Sequence, residues 1–321
     1  MRLLGKMRVS PGLVTRVALL GLVAWPESPG IPDTRADRRV RADSTFVVML
    51  GTGTPNADPE RSGPAVAIVR GDNAYLVDAG AGIVRRAAAA AQHGVPALEA
   101  RKLRIVFLTH LHSDHTIGMP DLMLMPWVAE RKEPLEVYGP PGTKTLVAHL
   151  LAAYNADIRN RIDGLQPHNT TGYRINVHEI KPGIVFRDSN VVVRAFEVVH
   201  PQWEHAFGYR FESSDRSIVV SGDTKPTDAV VNACNGCDVL LHEVYSAEKL
   251  KTRTADWQAY HRSAHTSTVE LATLAARARP KLLVLYHQLF WGATDDGMIA
   301  EIRAAGFTGP LVSAQDLGVY R

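Results

Sequence analysis

Several features that define specialised classes of protein are scarce in this chain. Two cysteines among 321 residues are too few for a fold held together by several disulfides. No apolar stretch is long enough to cross a bilayer as a helix. Hydrophobic residues nevertheless make up 45% of the chain. A chain of this length and composition is therefore expected to form one large α/β domain.

Excess positive charge is also absent from most of the chain. The net charge is +3, but residues 1–41 hold eight Lys and Arg against three Asp and Glu, which leaves residues 42–321 near −2. A protein that binds a long RNA must neutralise many phosphates. The charge balance therefore does not support a long RNA partner, and it favours a small or short substrate.

The N-terminal segment, residues 1–41, differs in composition from the remainder. Three basic residues precede a moderately apolar stretch at residues 13–25, as in a secretory signal. Arg16 interrupts that stretch, however, and no clean cleavage site follows it. A signal for export to the periplasm, a disordered leader and a start assigned too far upstream all stay open, as does a cytoplasmic location. We expect residues 42–321 to form the folded domain.

The two cysteines, Cys234 and Cys237, form a CxxC motif before an apolar run. Such a pair can carry out redox chemistry or form half of a zinc ribbon. No second CxxC is present to complete a ribbon. The sequence favours a packed or disulfide-linked turn and leaves open which of the two it is.

The most informative stretch is Thr109–His115, THLHSDH, which follows an apolar run. That run predicts a buried strand, so the motif is expected on a loop where the strand ends. Neutral imidazoles and carboxylates are ligands that Zn²⁺ accepts. The spacing has room for two ions, one on His110 and His112 and the other on Asp114 and His115. A polar loop that merely contains histidines is the alternative, and such dense clustering argues against it.

Other candidate ligands lie where predicted strands end. His200, Asp223 and His287 each come directly after a run rich in β-branched and other apolar residues. A single polar residue at such a place is more often a turn or capping residue. Open α/β sheets, however, form their ligand crevice at the carboxyl ends of strands. The three side chains together are therefore candidates for the same site as the THLHSDH motif.

With these motifs the chain resembles the metallo-β-lactamase superfamily, and within it the ribonuclease Z and arylsulfatase-like hydrolases. The HxHxDH motif is specific for the superfamily, whereas the stretches around Glu243 and His265 narrow the resemblance to the ribonuclease Z-like branch. The resemblance extends from about Phe46 to the C-terminus. The other stretches that carry it are LGTGTP at 50–55, LVDAG at 76–80, YGPPG at 138–142, HAFGYR at 205–210, SGDT at 221–224, LHEV at 241–244 and SAHTST at 263–268.

The resemblance implies a four-layer αββα sandwich, the metallo-β-lactamase fold, with two zinc ions per chain or manganese or iron in their place. The implied ligands are His110, His112 and His200 for one ion, Asp114, His115 and His287 for the other, and Asp223 as the bridge. A hydroxide bridging the metals would be the nucleophile. Asp114 is also placed to accept a proton from it.

The resemblance further implies that Glu243 and His265 pair beside the metals and protonate the leaving oxygen. An imidazole oriented by a carboxylate suits this role, because its pKa lies near neutrality. The structural alternative is that His265 caps a helix beginning near Thr266 and that Glu243 is solvated at a strand end. His205 and His242 are left without a role. The other histidines are expected at the surface: His93, His149, His168, His178 and His261.

Hydrophobic patterns predict the remaining elements. Strands are expected near residues 46–50, 64–69, 74–77, 103–108, 175–179, 191–198, 207–212, 218–220, 239–242 and 282–286. Helices are expected near residues 82–92, 142–154, 266–277 and 295–305.

Three features bear on the substrate. The interval 155–190 lacks the Gly- and Lys-rich arm with which bacterial ribonuclease Z enzymes grip tRNA. Residues 79–82 read AGAG, where those enzymes usually have a Cys-Gly-Glu-Gly pattern. Both departures argue against a tRNA substrate without excluding one. Aromatic residues near the predicted ligands either pack in the core or wall an apolar pocket; they are Trp203, Trp257, Tyr260, Phe290 and Trp291.

We therefore predict a dinuclear zinc-dependent hydrolase that cleaves a phosphodiester, at an RNA 3′ end or in a small molecule. Hydrolysis of an ester, aryl sulfate, lactone or β-lactam at the same site is the alternative. A non-catalytic binding module is a more remote one, which the complete ligand set argues against. The family resemblance also implies a homodimer.

Overall fold

The computed structural model describes residues 44–201 and 203–321, which form two stacked β-sheets flanked by helices. The predicted leader, residues 1–41, lies outside the described residues. The strands are β1 (Thr45–Gly51), β2 (Ala65–Arg70), β3 (Asn73–Val77), β4 (Ile105–Phe107), β5 (Leu135–Gly139), β6 (Ile175–Glu179), β7 (Gly183–Arg187), β8 (Val192–Glu197), β9 (Phe207–Glu212), β10 (Ser217–Val220), β11 (Val239–Tyr245), β12 (Leu282–Leu289), β13 (Leu311–Ser313) and β14 (Val319–Tyr320).

Ten α-helices and two single-turn 3₁₀ helices connect these strands within the described residues. The α-helices are α1 (Ile83–Gln92), α2 (Ser113–Thr116), α3 (Met119–Val128), α4 (Thr143–Ala153), α5 (Asn155–Asp163), α6 (Asp228–Cys234), α7 (Ala247–Leu250), α8 (Ala255–Ala264), α9 (Thr268–Ala278) and α10 (Asp295–Ala304). The 3₁₀ helices are Pro96–Leu98 and Ala100–Lys102.

Each sheet has seven strands in the described part of the chain and changes from antiparallel to parallel pairing along its width. The first has the order β14-β1-β2-β3-β4-β5-β6, and the second has the order β13-β12-β11-β10-β9-β8-β7. Pairing is parallel from β3 to β6 and from β10 to β13. Parallel strands separated by helices bring several strand-to-helix loops to one edge of a sheet.

Alternate residues of a strand serve two different cores. In β1, Val47 and Met49 belong to the core between the sheets, whereas Val48 and Leu50 face the core under the helices that include α1 and α3. A third core packs the second sheet against α6, α9 and α10. Because successive side chains point to opposite faces, a strand covered on both sides is apolar throughout. The predicted αββα sandwich is confirmed.

Most of the predicted strands and helices are present, but the structure also contains elements that the sequence patterns did not predict. Helix α3 carries Pro126 in its interior, a residue that normally argues against a helix. Helix α5 has a single buried residue, Ile158, so it shows little amphipathic pattern. Strand β7 lies at the edge of its sheet, and none of its residues is buried, so it lacks a clear alternation of buried and exposed positions. Strands β5 and β13 and helix α8 were missed as well.

Two further features of the described residues concern the cysteine pair and the length of the helices. Cys234 and Cys237 are buried and joined by a disulfide that closes the turn between α6 and β11. In the part of the chain that the structure covers, no helix combines the length and apolarity that crossing a membrane requires.

Candidate active site

Loops from both sheets bring the predicted ligands together at one edge of the sandwich. The loop after β4 and the short helix α2 carry the HxHxDH residues, and the loops after β8 and β10 carry His200 and Asp223. His287 comes from β12. Within the described residues, the possible ligand atoms form four groups, each spanning no more than 4.8 Å: His110, His112 and His200; His110, His115 and Asp223; Asp114, His115 and His287; Asp223, His265 and His287.

The structure adds a buried carboxylate that sequence reasoning left without a role. Asp78 follows β3, and its Oδ2 atom lies 2.8 Å from Nδ1 of His115. Its carboxylate also accepts hydrogen bonds from the backbone N–H and the hydroxyl of Thr109. Asp78 has a positive φ of 61°, and this backbone conformation directs its side chain toward Thr109 and His115. Its place at the end of a strand was the available signal, because His200 and Asp223 were found by the same rule.

The first predicted triad has a hydrogen-bonding pattern that calls for a cation. Nδ1 of His200 donates to the Ala264 carbonyl and Nδ1 of His110 faces the Thr109 hydroxyl, both at 3.0 Å, so each Nε2 keeps a lone pair. Burial lowers the pKa of all three imidazoles, that of His112 to about 4. Nδ1 of His112 lies 2.9 Å from Nε2 of His110 and 3.2 Å from Nε2 of His200. It can donate to at most one of them, so lone pairs face each other unless a cation lies between.

The second predicted triad joins a carboxylate to two imidazoles. Oδ2 of Asp114 lies 3.2 Å from Nε2 of His287 and 3.5 Å from Nε2 of His115. Nδ1 of His115 donates to Asp78, and its buried Nε2 atom, which faces Asp114, has no hydrogen-bond partner. Burial opposes a charge on this ring, but Asp223, Asp78 and Asp114 raise the pKa of His115 well above its usual range. The carboxylates therefore favour a positive charge at Nε2, which a proton or a bound metal ion can supply.

Asp223 lies between the two triads. Its Oδ1 atom is 3.4 Å from Nε2 of His115, and its Oδ2 atom is 3.6 Å from Nε2 of His287. Burial opposes ionisation, but the neighbouring histidines hold the pKa of Asp223 well below its usual range. The preceding Gly222 has φ of 64°, and a Cβ atom there would approach the Phe207 carbonyl to 2.7 Å. Glycine thus allows the tight turn that directs Asp223 toward both triads.

A β-bulge positions His287, which corrects the expectation that it follows the end of a strand. Strand β12 continues to Leu289, and the register against β11 shifts between Glu243 and Val244. His287 is the extra residue, with φ of 47°. A bulge of this kind redirects one side chain without ending the strand. The sequence identifies His287 as a candidate ligand but does not predict the β-bulge that positions its side chain.

Glu243 and His265 lie beside the triads, as the resemblance implies. Nδ1 of His265 is 3.4 Å from Oε2 of Glu243 and 3.8 Å from Oδ2 of Asp223. The backbone N–H of Thr266 donates to the other oxygen of Glu243 at 2.8 Å. Burial, followed by the charge of Asp223, raises the pKa of Glu243 well above its usual range. Burial lowers the pKa of His265 to about 4, below the near-neutral value expected of a proton donor from the sequence.

The structural alternative for this pair is wrong. Ser267, not His265, caps α9, and it forms a capping box with Glu270. Glu243 lies within β11, at 0% exposure, so it is not solvated. His265 ends the preceding helix, α8, in an extended conformation. Neither side chain therefore serves the structural role expected of a polar residue at these positions.

A cavity of about 560 Å³ opens over the triads, and aromatic side chains line part of it. Trp257, Tyr260 and Trp291 are in its wall, which confirms a pocket for three of the five predicted aromatic residues. Trp203 instead packs on His112 at a ring distance of 5.2 Å, and Phe290 packs under the Arg61 guanidinium. Its wall also includes His261, which is 6% exposed. The expectation of a surface position for His261 is wrong.

Two other histidines were left without a role in the sequence. His242 is buried, and its Nδ1 atom lies 2.6 Å from the Glu243 carbonyl oxygen. His205 is more exposed and lies 3.6 Å from a carboxylate oxygen of Glu197. Neither residue lines the cavity.

Comparisons with known proteins agree with this geometry. The family model described as a beta-lactamase superfamily domain matches residues 73–288. A ribonuclease Z of Mycobacterium bovis is 34% identical over 279 residues, covering 84% of this chain and 96% of the relative. A ribonuclease Z of Mycobacterium sp. (strain KMS) is 35% identical over 245 residues, with coverages of 76% and 84%.

Solved structures agree at the level of the fold. The metallo-beta-lactamase fold protein YhfI from Bacillus subtilis is 18% identical and superposes with a TM-score of 0.65, covering 87% of this chain and 100% of its own. The short form of human tRNase Z is 23% identical, with a TM-score of 0.64 and coverages of 86% and 98%.

Proposed function

Because this chain belongs to the β-lactamase superfamily, and within it to the ribonuclease Z-like hydrolases, we propose that it cleaves phosphodiesters at a dinuclear zinc site with His265 as the proton donor. It is a metal-dependent hydrolase that acts on phosphodiester bonds. The finer points are the number and identity of the metal ions, the roles of individual residues and the kind of diester.

The donor set supports two ions. His110, His112 and His200 would hold one ion, and Asp114, His115 and His287 the other. Asp223 would bridge them, because its carboxylate lies within 4.8 Å of ligand atoms of His110 in the first set and His115 in the second. Imidazole and carboxylate donors suit Zn²⁺, and Mn²⁺ or iron less closely. Two ions held by these residues would lower the pKa of a water and stabilise negative charge on the attacked phosphate.

The protein's own groups would hold and move the protons. Asp114, which lines the cavity, would accept a proton from the attacking water. His265 would donate a proton to the leaving oxygen, with its pKa raised from about 4 by the negative charge of the bound diester. Glu243 would orient the ring of His265 because its Oε2 atom is the nearest acceptor to Nδ1. The neighbouring Thr266 N–H fixes the carboxylate in turn.

The observation that carries the proposal is this His265–Glu243 pair at the edge of the ligand cluster. A phosphodiester with an alkoxide leaving group needs a proton donor, because the departing oxygen is strongly basic. Hydrolysis of an ester, aryl sulfate, lactone or β-lactam depends less on such a pair, because bound metal can stabilise those leaving groups directly. The substrate we favour is a small or short diester, since the net charge near −2 of residues 42–321 gives no surplus for long RNA.

Two substrates with different leaving groups test the proposal. His265→Ala should reduce kcat by roughly 10²–10⁴ on an alkyl phosphodiester and by much less on bis-p-nitrophenyl phosphate, whose leaving anion is stable without a proton. His93→Ala, at an exposed position, is the matched control and should change neither rate. Zinc content is measured in all three proteins, since His265 also lies close to Asp223 and His287. Equal losses on both substrates at full zinc content would contradict the proton-donor role.

The homodimer implied by the family resemblance is part of the same proposal. Sedimentation of the zinc-loaded protein tests it, and a single species with the mass of one chain would contradict it.

A further inference from the structure

The cavity above the triads has one aromatic wall that the proposed chemistry does not use. Trp257 and Tyr260 come from α8, and Trp291 follows β12. The rings of Trp257 and Trp291 both pack on His261, at centroid distances of 5.5 and 4.5 Å. His261 thus holds two indoles from different parts of the chain in one wall.

Core packing accounts for Trp291, but it does not account for Trp257. Trp291 lies against a small buried cluster formed by Tyr245, Leu250 and Leu289. Trp257 is 49% exposed although it is among the largest apolar side chains in the protein. It lies at right angles to Tyr260, at 85° and 5.8 Å between ring centroids. A partly exposed tryptophan in the lining of a deep cavity is a common feature of ligand sites.

The wall adjoins the side of the site where a leaving group would depart. The ring of His265 lies 6.0 Å from that of Tyr260 and 5.4 Å from that of His261. An alcohol that receives a proton from His265 would therefore lie close to Tyr260, one of the three aromatic residues of the wall. The cavity, at about 560 Å³, is within the roughly 300–1,000 Å³ typical of small-molecule sites.

We propose that this wall, formed by Trp257, Tyr260 and Trp291, binds a flat aromatic ring carried by the leaving alcohol of the substrate. The inference rests on the proposed function, because it takes His265 as the proton donor. In the reaction the bond between phosphorus and the leaving oxygen breaks, water oxygen bonds to phosphorus, and the leaving oxygen takes up a proton. The products are a ring-bearing alcohol and a phosphate monoester.

The charged residues beside the aromatic wall favour a neutral ring over a charged group on the leaving alcohol. Arg253 and Asp256 both line the cavity, and because their charges have opposite sign, neither sign of charge on a ligand is clearly preferred. The guanidinium of Arg253 lies 5.8 Å from the centroid of Trp291. Stacking on aromatic side chains tolerates many kinds of ring, so a nucleobase and a benzyl group share the required chemistry.

Two pairs of substrates test the inference on the zinc-loaded enzyme. Thymidine 3′-(methyl phosphate) is compared with the same diester of an abasic tetrahydrofuran nucleoside, and benzyl methyl phosphate with cyclohexylmethyl methyl phosphate. Within each pair the leaving oxygens are similar in basicity, but only one alcohol carries a flat ring. The wild-type kcat/KM should favour the ring-bearing member of at least one pair by roughly 5- to 150-fold. Preference in the first pair alone identifies a nucleoside leaving group, and in the second alone a simple aryl group.

Variants link that preference to the wall. Trp257→Ala should reduce the preference at least fivefold, whereas Trp257→Phe should retain most of it. Tyr154→Ala, which removes an exposed aromatic residue outside the cavity, is the matched control and should leave the preference unchanged. Equal kcat/KM within both pairs, or a preference that survives in Trp257→Ala, would overturn the inference while leaving the proposed function intact. Absence of metal-dependent turnover on every diester would contradict the proposed function itself.

Discussion

The Nδ1 atom of His115 lies 2.8 Å from Oδ2 of Asp78, and both side chains are buried. The contact orients the ring of His115, so that Nε2 faces Asp114 and Asp223, whose carboxylates favour a positive charge at that atom. Asp78 follows a strand 37 residues before His115 in the chain. A ligand motif read from a continuous stretch therefore depends on a carboxylate from a neighbouring strand.

Asp78→Asn should weaken metal binding more than it weakens the fold. The amide oxygen can still accept from Thr109, but an amide nitrogen facing Nδ1 of His115 cannot accept its proton. We expect zinc affinity to fall by roughly 10–100-fold, as is usual when the partner of a ligating histidine is lost. Competition with a chromophoric chelator measures it. Asp72→Asn, at a side chain 84% exposed, is the control, and an unchanged affinity in Asp78→Asn would contradict the assigned role.

His112→Ala should abolish hydrolysis of every substrate and leave the fold largely intact. The side chain lies on the ligand loop, half-buried, and belongs to none of the apolar cores. Turnover of bis-p-nitrophenyl phosphate, the circular dichroism spectrum and zinc content are compared with those of wild type. If the zinc-loaded variant kept more than a few per cent of turnover, the first triad would not be part of the reaction.

The convergence of the candidate ligands could be predicted from sequence, because each follows, or nearly follows, an apolar run, and strand ends converge in this class of fold. Asp223 and His200 were found in this way. The bulge at His287 was not predictable, since the extra residue is defined only by its pairing with β11. Nor was the place of His261, which depends on indoles from α8 and from the loop after β12. Local sequence patterns identify candidate side chains, but tertiary contacts decide which of them line the same cavity.

Asp238 provides a pH-dependent test of the second sheet. Burial raises the pKa of Asp238, but the Lys281 ammonium and the hydrogen bonds from Ser217 lower it by more. The pKa of Asp238 therefore lies below its usual value. The stabilisation is therefore present above the unfolded-state pKa near 3.9 and is lost as the pH falls through the folded-state pKa. Asp238→Asn should reduce the free energy of unfolding by about 1 kcal/mol at pH 7. Urea unfolding at pH 7 and pH 3 should show that difference shrinking, and a constant difference would contradict the charge-based explanation.

Deletion of residues 1–41 should leave a folded and fully active enzyme. The sheet begins at Thr45, whose N–H and hydroxyl both bond to the carboxylate of Asp215. All predicted site residues lie after that point. The thermal midpoint and kcat/KM of the shortened protein are compared with those of the full chain. Loss of soluble protein would show that the first 41 residues belong to the folded domain, contrary to the sequence prediction.

The central claim, that two zinc ions act together on a phosphodiester, is tested most directly by titration of the metal-free protein. Zinc is added in steps, and bound metal and the rate of bis-p-nitrophenyl phosphate hydrolysis are measured on the same samples. We predict no activity without metal and a rate that rises until two zinc ions are bound per chain, because the two triads converge on Asp223. A rate that is already maximal at one bound ion, or that does not depend on metal, would contradict the dinuclear account.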